Sequence, residues 1–82
     1  MGILGKSKGA GAIVISYEPL WKTMEKKKAT TYTLRYKGQI SGATVQRLQR
    51  GESVSTNTID SICKLLNCRV EDVIIYLDDD SN

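Results

Sequence analysis

The stretch that decides the fold is Gln39–Gly51, QISGATVQRLQRG. It opens with a run of small residues, Ser41 to Thr44, and then turns amphipathic, with Val45 and Leu48 on its apolar side. The serine is a typical residue before the first turn of a helix, and the closing glycine suits the left-handed conformation that ends one. The pattern therefore predicts a short helix over 41–50 that begins with a patch of small residues.

Small residues at the start of this helix allow its backbone to approach another surface closely. In a helix-turn-helix, the N-terminal part of the second helix lies in the major groove of DNA. One turn further, Gln46 and Arg47 are long enough to reach bases, and glutamine pairs with adenine while arginine pairs with guanine. The hydroxyls of Ser41 and Thr44 and the free amides of the first turn can bind phosphate. The stretch is thus typical of a DNA-recognition helix.

Length and composition restrict the other possibilities. The 82 residues make one domain with one small core, which would gain stability from dimerisation. With no histidine, Cys63 and Cys68 cannot complete a zinc site, so we expect reduced, buried thiols and no metal or cofactor. No nucleophile–base pair indicates an enzyme, and no small-molecule effector site is evident. No apolar run approaches the roughly 20 residues that span a bilayer, so we expect a cytoplasmic, nucleoid-associated protein without a membrane partner.

The charge of the chain is unevenly distributed. Residues 1–70 contain all 12 lysines and arginines and four acids, which gives +8. Residues 71–82 contain five acids and no base, which gives −5. This polarity suggests one face for a polyanion and a separate acidic end, although ordinary solvated charge explains the same distribution.

The segments before the decisive stretch predict a tail, a strand and a helix. Residues 1–12 are predicted to be a flexible, basic, Gly-rich tail, either an unstructured end or an arm that reaches a DNA groove. The β-branched residues 12–17 predict a short strand. A helix over 17–27 follows, with Ser16 as its cap and Pro19 in its first turn.

The segments after it predict two helices and a disordered acidic tail over 78–82. The clearer helix begins at the capping cluster 55–57 and ends at Asn67. Its apolar positions recur at helical spacing, namely Ile59, Ile62, Cys63 and Leu66. A last short helix is predicted over 70–77, with an inward stripe of Val73, Ile74 and Leu77.

Residues 30–36, TTYTLRY, give a local signal that conflicts with this helical pattern. Tyr32, Leu34 and Tyr36 alternate, and threonine and tyrosine favour strands, so the segment taken alone predicts a strand. The resemblance described next reverses that interpretation.

Three quoted segments resemble one known family. Residues 30–51, TTYTLRYKGQISGATVQRLQRG, resemble the helix-turn-helix of the Cro and lambda-repressor-like (Xre-type) transcriptional regulators. Residues 53–76, SVSTNTIDSICKLLNCRVEDVIIY, resemble the usual continuation of that family. Residues 15–24, ISYEPLWKTM, resemble the start of a small bacterial subgroup. The resemblance covers 15–77.

The resemblance implies an all-α, five-helix lambda-repressor-like domain over 13–77 with a short N-terminal strand and the motif at about 31–50. The family's core positions match Leu34, Ile40, Val45 and Leu48. Residues 30–37 are therefore predicted to be a helix, because tertiary context overrides weak local propensity.

Two positions depart from the family pattern. Arg35 stands where a small residue is usual, and it is predicted to extend away from the helix contact. Gln39 stands where glycine is usual, and Gly38 is predicted to supply the left-handed conformation instead.

The resemblance also implies a transcriptional regulator that binds double-stranded DNA at a specific sequence. A repressor of bacterial or phage type is expected. The expected base contacts are Gly42, Ala43, Gln46 and Arg47, with a solvated surface arginine as the alternative for the last. The expected phosphate contacts are Thr31, Lys37, Ser41, Thr44, Arg50, Ser53, Ser55, Thr56 and Asn57. Ser55 can serve equally as a helix cap.

Dimerisation is expected because one such domain reads about half of an operator. The apolar residues left over from the predicted core are the candidates for a two-fold interface, namely Ile13, Ile15, Ile75 and Tyr76. Completion of a monomer's core is the alternative.

The alternative function is a protein-interaction module of the same fold, of antitoxin or anti-repressor type. RNA binding is less favoured, because no aromatic pair is predicted to form a stacking platform.

Overall fold

The computed structural model describes residues 15–77, so the two predicted tails and Ile13 lie outside the described residues. Three α-helices, one π-helix, one 3₁₀ turn and two short strands make up this part of the chain. In order, they are β1 (Ile15–Ser16), α1 (Glu18–Lys26), the π-helix (Thr33–Lys37), α2 (Gly42–Arg50), α3 (Thr56–Leu66), the 3₁₀ turn (Val70–Asp72) and β2 (Ile75–Tyr76).

Every helix contributes to one apolar core. The five largest fully buried side chains come from α1, the π-helix, α2, α3 and the residue after the 3₁₀ turn, and they are Leu20, Leu34, Leu48, Ile62 and Val73. Ile40 and Val45 are also buried. The four core positions that the resemblance implied for the motif are therefore confirmed.

Local sequence sets the ends of α2 and α3 as predicted. The hydroxyl oxygens of Ser41 and Ser55 each accept a hydrogen bond from the backbone amide three residues later, at 3.1 and 3.2 Å. Gly51 and Asn67 end the two helices in the left-handed conformation, with φ of 77° and 53°. Each bond satisfies an amide that the first turn cannot pair, which fixes where the helix begins.

Residues 31–37 are helical, which confirms the choice of helix over strand. The second part is a π-helix, in which the amide of Gly38 donates to the carbonyl oxygen of Thr33 at 3.0 Å. Gly38 itself has φ of −89°, whereas Gln39 has φ of 57°. The prediction that the glycine supplies the left-handed residue is therefore wrong, and Gln39 adopts that conformation itself.

Gly38 is needed for space rather than for its backbone angles. A Cβ atom at this position would lie 2.8 Å from the carbonyl oxygen of Leu34 and 2.8 Å from Cδ2 of Leu65 in α3. The amide of Ile40 donates to the same carbonyl of Leu34 at 3.0 Å. The turn between the π-helix and α2 is thus packed tightly against α3.

The predicted fifth helix over 70–77 is wrong, so the described residues contain four helices rather than five. The chain makes only the 3₁₀ turn there, and β2 then pairs antiparallel with β1, Ile15 opposite Tyr76 and Ser16 opposite Ile75. The Thr23 hydroxyl of α1 donates to the Asp72 carbonyl at 2.8 Å.

This pairing also changes which side chains of the segment are buried. Val73 is fully buried and Ile74 packs against the core, but Leu77 is half exposed. Ile75 and Tyr76 form a strand because β1 offers them a partner that lies distant in sequence.

Substitution of Gly38 by alanine tests the tight turn. We expect Gly38→Ala to lower the free energy of unfolding by about 1–3 kcal/mol, because the new methyl group overpacks against backbone and Leu65. Chemical denaturation of the purified protein measures this change.

Gly42→Ala is the matched control. A Cβ atom there meets nothing closer than 3.4 Å, and the nearest atoms belong to the end of the Arg35 side chain. We expect its stability to be unchanged or slightly raised, since alanine is the better helix former. Equal stability of the two variants would contradict the steric role of Gly38.

Candidate nucleic-acid interface

The outward face of α2 carries the residues best placed to read a surface. Val45 and Leu48 are buried, and successive residues of a helix are about 100° apart. The residues on the side opposite this buried pair are Ala43, Gln46, Arg47 and Arg50. All four are exposed. Three of the four predicted base contacts therefore lie on this face, and Gly42 is the exception. Arg50, one of the predicted phosphate contacts, lies on the same face.

A first cleft separates α2 from the start of the motif. It has a volume of about 390 Å³. Its lining residues are Thr31, Arg35, Gly42, Ala43, Val45, Gln46 and Gln49. The structure thus brings the predicted phosphate contact Thr31 beside three of the predicted base contacts.

A second cleft, of about 250 Å³, lies between the motif turn and the start of α3. Its lining residues are Gly38, Gln39, Ile40, Ser41, Thr44, Asn57, Thr58 and Ser61. Three of the predicted phosphate contacts, Ser41, Thr44 and Asn57, therefore come together here.

The hydroxyls of the second cleft already make hydrogen bonds within the protein. The Ser41 hydroxyl donates to Oγ1 of Thr44 at 3.0 Å while it accepts from the Thr44 amide. At the start of α3, Ser55 likewise accepts from the Thr58 amide, and the two hydroxyl oxygens lie 3.3 Å apart, where either can be the donor. Thr44 accepts the Ser41 proton, so its own hydroxyl proton is free to donate. The serines act as helix caps, and the Thr44 hydroxyl keeps a proton that it can donate outside the protein.

The other predicted phosphate contacts line neither cleft. Lys37 ends the π-helix, Arg50 ends α2, and the rest lie in or next to the loop between α2 and α3, namely Ser53, Ser55 and Thr56. All five are exposed. In sequence they flank the residues that line the two clefts, but no side-chain hydrogen bond joins them to the other predicted contacts within the described residues.

The sequence stretch that contains α2 carries only positively charged side chains. Residues 26–51 contain seven lysines and arginines and no acid. Within the described residues, the ion pairs lie elsewhere: Lys64 contacts Asp60 at 3.1 Å and Arg69 contacts Glu71 at 3.5 Å. Arg47 and Arg50 have no such carboxylate partner in that part of the chain. This side of the domain can therefore attract a polyanion.

The π-helix presents an aromatic and cationic group that the sequence interpretation missed. The rings of Tyr32 and Tyr36 lie 4.6 Å apart between centroids, and the side chains are 66% and 60% exposed. Cζ of Arg35 lies 5.3 Å from the Tyr36 centroid. An exposed aromatic pair is therefore present, with its rings tilted by 40°, although the sequence interpretation expected none. The i, i+4 spacing of the tyrosines was the available signal, but their alternation with Leu34 indicated a strand.

Tyr17 holds the loop that carries several of the predicted phosphate contacts. Its hydroxyl donates to the carbonyl oxygen of Glu52 at 2.6 Å, across 35 residues of sequence. Burial raises the pKa of this phenol above its ordinary value of 10.0, and a backbone hydrogen bond at Val54 lowers it by a smaller amount. The side chain thus connects the start of α1 to the loop between α2 and α3.

The two cysteines are free and half-buried. Burial is the largest cause of the raised pKa of both Cys63 and Cys68. The described residues contain no group of three or more potential metal ligands. Within that same range, no helix is both long and apolar enough to cross a membrane.

Comparisons with known proteins agree with this geometry. A family model described as a Cro/C1-type helix-turn-helix DNA-binding domain matches residues 19–79. A crystal structure of the transcriptional regulator VanUg is similar, with a TM-score of 0.75 and 29% sequence identity, over 89% of this chain and 97% of that one. No curated protein matches the chain.

Tyr17→Phe tests the contact that holds the loop. We expect the variant to lose about 1 kcal/mol of unfolding free energy near neutral pH, because one partly buried hydrogen bond is removed. The raised pKa of Tyr17 means that the folded state disfavours its ionisation. The wild-type advantage is therefore complete below pH 10 and shrinks as the pH rises through the folded pKa.

Chemical denaturation at neutral pH and above pH 10 measures both effects. Tyr32→Phe, which changes a tyrosine that is 66% exposed, is the control and should match wild type. A constant difference between wild type and Tyr17→Phe over this pH range would show that the phenol is not the titrating group.

Proposed function

The chain belongs to the family of Cro/C1-type helix-turn-helix DNA-binding domains, and we propose that it is a sequence-specific transcriptional regulator that reads double-stranded DNA with α2. The observation that carries the proposal is the outward face of α2. It combines a small-residue start with long polar and basic side chains, within a stretch of sequence, residues 26–51, that contains no acid. The mode of regulation we propose is repression, in which the bound domain blocks access to the DNA that it covers.

The base contacts follow from the position of each residue on α2. Arg47 and Gln46 are exposed and long enough to reach base edges, where arginine recognises guanine and glutamine recognises adenine. Ala43 is small and exposed near the N-terminus, which suits contact with a thymine methyl group. Gly42 has no side chain, so its contribution is to let the backbone approach the DNA.

The phosphate contacts are assigned to residues that border this face. Thr31 lies across the first cleft from α2, and Thr44 keeps a hydroxyl proton available in the second cleft. The cations Lys37 and Arg50 add attraction to the backbone. Each phosphate neutralised by such a cation steepens the salt dependence of binding by about 0.9 in log–log slope. The remaining proposed contacts are Ser41, Ser53, Ser55, Thr56 and Asn57.

Arg47→Ala tests base reading by α2. Wild type first selects its preferred site from randomised duplexes that can hold two half-sites one helical turn apart. We expect Arg47→Ala to bind that site about tenfold more weakly, and to lose the preference for one base pair, because a bidentate arginine–guanine contact is removed. Fluorescence anisotropy at several salt concentrations measures both quantities.

Lys64→Ala is the matched control for the loss of one positive charge. Lys64 is exposed on α3 and already paired with Asp60. We expect its sequence preference to equal that of wild type. If wild type selects no site, or if Arg47→Ala selects the same site as strongly as wild type, base reading by Arg47 is refuted.

A homodimer is proposed because one domain reads about half of an operator. β1 and β2 are two residues long each, and a two-stranded sheet of this size is marginal without further packing. Ile15, Ile75 and Tyr76 are 41%, 49% and 68% exposed, so these predicted dimer residues are not needed by the core. A second copy packed on this sheet would cover apolar surface and an unpaired strand edge.

Tyr76→Lys tests this interface. We expect wild type to sediment as a dimer and Tyr76→Lys as a folded monomer, because a charge is placed in the covered surface. Tyr32→Lys changes an equally exposed tyrosine, the residue just before the π-helix, and should remain a dimer. A monomeric wild type, or a dimeric Tyr76→Lys, would rule out dimerisation through the sheet.

A protein-interaction module of the same fold is the second candidate. The exposed pair of Tyr32 and Tyr36 beside Arg35 favours it, because tyrosine and arginine are enriched among residues that dominate protein interfaces. Salt separates the two functions. Counterion release makes DNA binding fall steeply with ionic strength, whereas a docked protein surface of this aromatic kind depends on salt only weakly.

A further inference from the structure

We propose that Arg35 of the π-helix reads a guanine in the same DNA site, in place of the side chain that Gly42 lacks. This inference rests on the proposed function, because it requires the start of α2 to lie in the major groove. It assigns a base-reading role to the first helix of the motif.

The guanidinium of Arg35 lies where a side chain at position 42 would begin. A Cβ atom on Gly42 would be 3.4 Å from Cζ and from Nη1 of Arg35, and 3.7 Å from Nε. The arginine therefore covers the bare first residue of α2. The absence of a side chain at Gly42 makes room for a longer one delivered from the neighbouring helix.

Arg35 shares the first cleft with residues already assigned to base contacts. Ala43 and Gln46 line the same cleft. Arg35 is exposed, and no carboxylate among the described residues forms an ion pair with it. Its five N–H donors are thus available at the surface that would face the bases.

The π-helix places and orients this side chain. The Leu34 side chain is fully buried and the side chain of its neighbour Arg35 is exposed, so the two side chains point to the core and to the surface. The Tyr36 ring lies 5.3 Å from Cζ of Arg35, and Tyr32 stacks on that ring. A guanidinium held against an aromatic face loses less conformational freedom when it binds.

The chemistry of the group selects guanine. A planar guanidinium donates two parallel hydrogen bonds to O6 and N7 of guanine in the major groove. Lysine carries the same charge but lacks the fork geometry. Arginine and lysine at position 35 should therefore give the same electrostatic attraction to DNA but a different strength of preference for guanine.

The experiment compares sites selected from randomised duplexes by wild type, Arg35→Ala, Arg35→Lys and Lys37→Ala. Lys37 is the control because it is an exposed cation of the same π-helix that does not line the cleft. We expect Arg35→Ala to lose one guanine preference in each half-site, and Arg35→Lys to keep only a reduced one because lysine lacks the two-pronged fork. Both variants should lose no more than about tenfold in affinity for the wild-type site. Both should also keep the base preference that depends on Arg47.

Lys37→Ala should weaken binding to all duplexes alike and keep every preference. Thermal melting of Arg35→Ala should match wild type within about 2 °C, since the side chain is exposed. If Arg35→Ala keeps every preference, Arg35 is not a base reader and the inference fails alone. If wild type itself selects no site, the proposed function fails with it.

Discussion

The close approach of the chain at Gly38 to α3 is the constraint on which the rest of the site depends. No side chain fits between the Leu34 carbonyl and Leu65, so the π-helix must end at a glycine. The same carbonyl then accepts the amide of Ile40, and Gln39 bridges the two in the left-handed conformation. Ser41 begins α2 immediately afterwards, so the packing at one residue sets where the exposed helix starts and which way it points.

Local signals predicted the helices whose ends are fixed by their own side chains. α2 and α3 each begin at a capping serine and end at a residue with positive φ, and both appear where the sequence places them. The prediction of a helix over 70–77 was wrong because the conformation of Ile75 and Tyr76 depends on pairing with β1, about 60 residues earlier in the chain. A helical stripe and a strand edge can use the same apolar residues, and only the distant partner decides between them.

The candidate site was predicted less completely than the fold. The outward face of α2 follows from helical period alone, so its members could be named from the sequence. Arg35 was not named as part of the site, because the sequence predicted only that it extends away from the helix contact, whereas its closeness to Gly42 is a contact between two helices. The paired tyrosines were missed for a different reason, because their alternation with Leu34 favoured a strand, whereas in a helix residues four apart lie on one face.

The antiparallel pairing of Ile15 with Tyr76 has a topological consequence. The described chain enters and leaves the domain at neighbouring points, because its first and last elements are hydrogen-bonded to each other. Domains with adjacent termini are the ones that tolerate insertion into another protein's loop, or cyclic permutation of their order. This domain could therefore be inserted into a loop of another protein, because its two ends would lie as close together as the two ends of that loop.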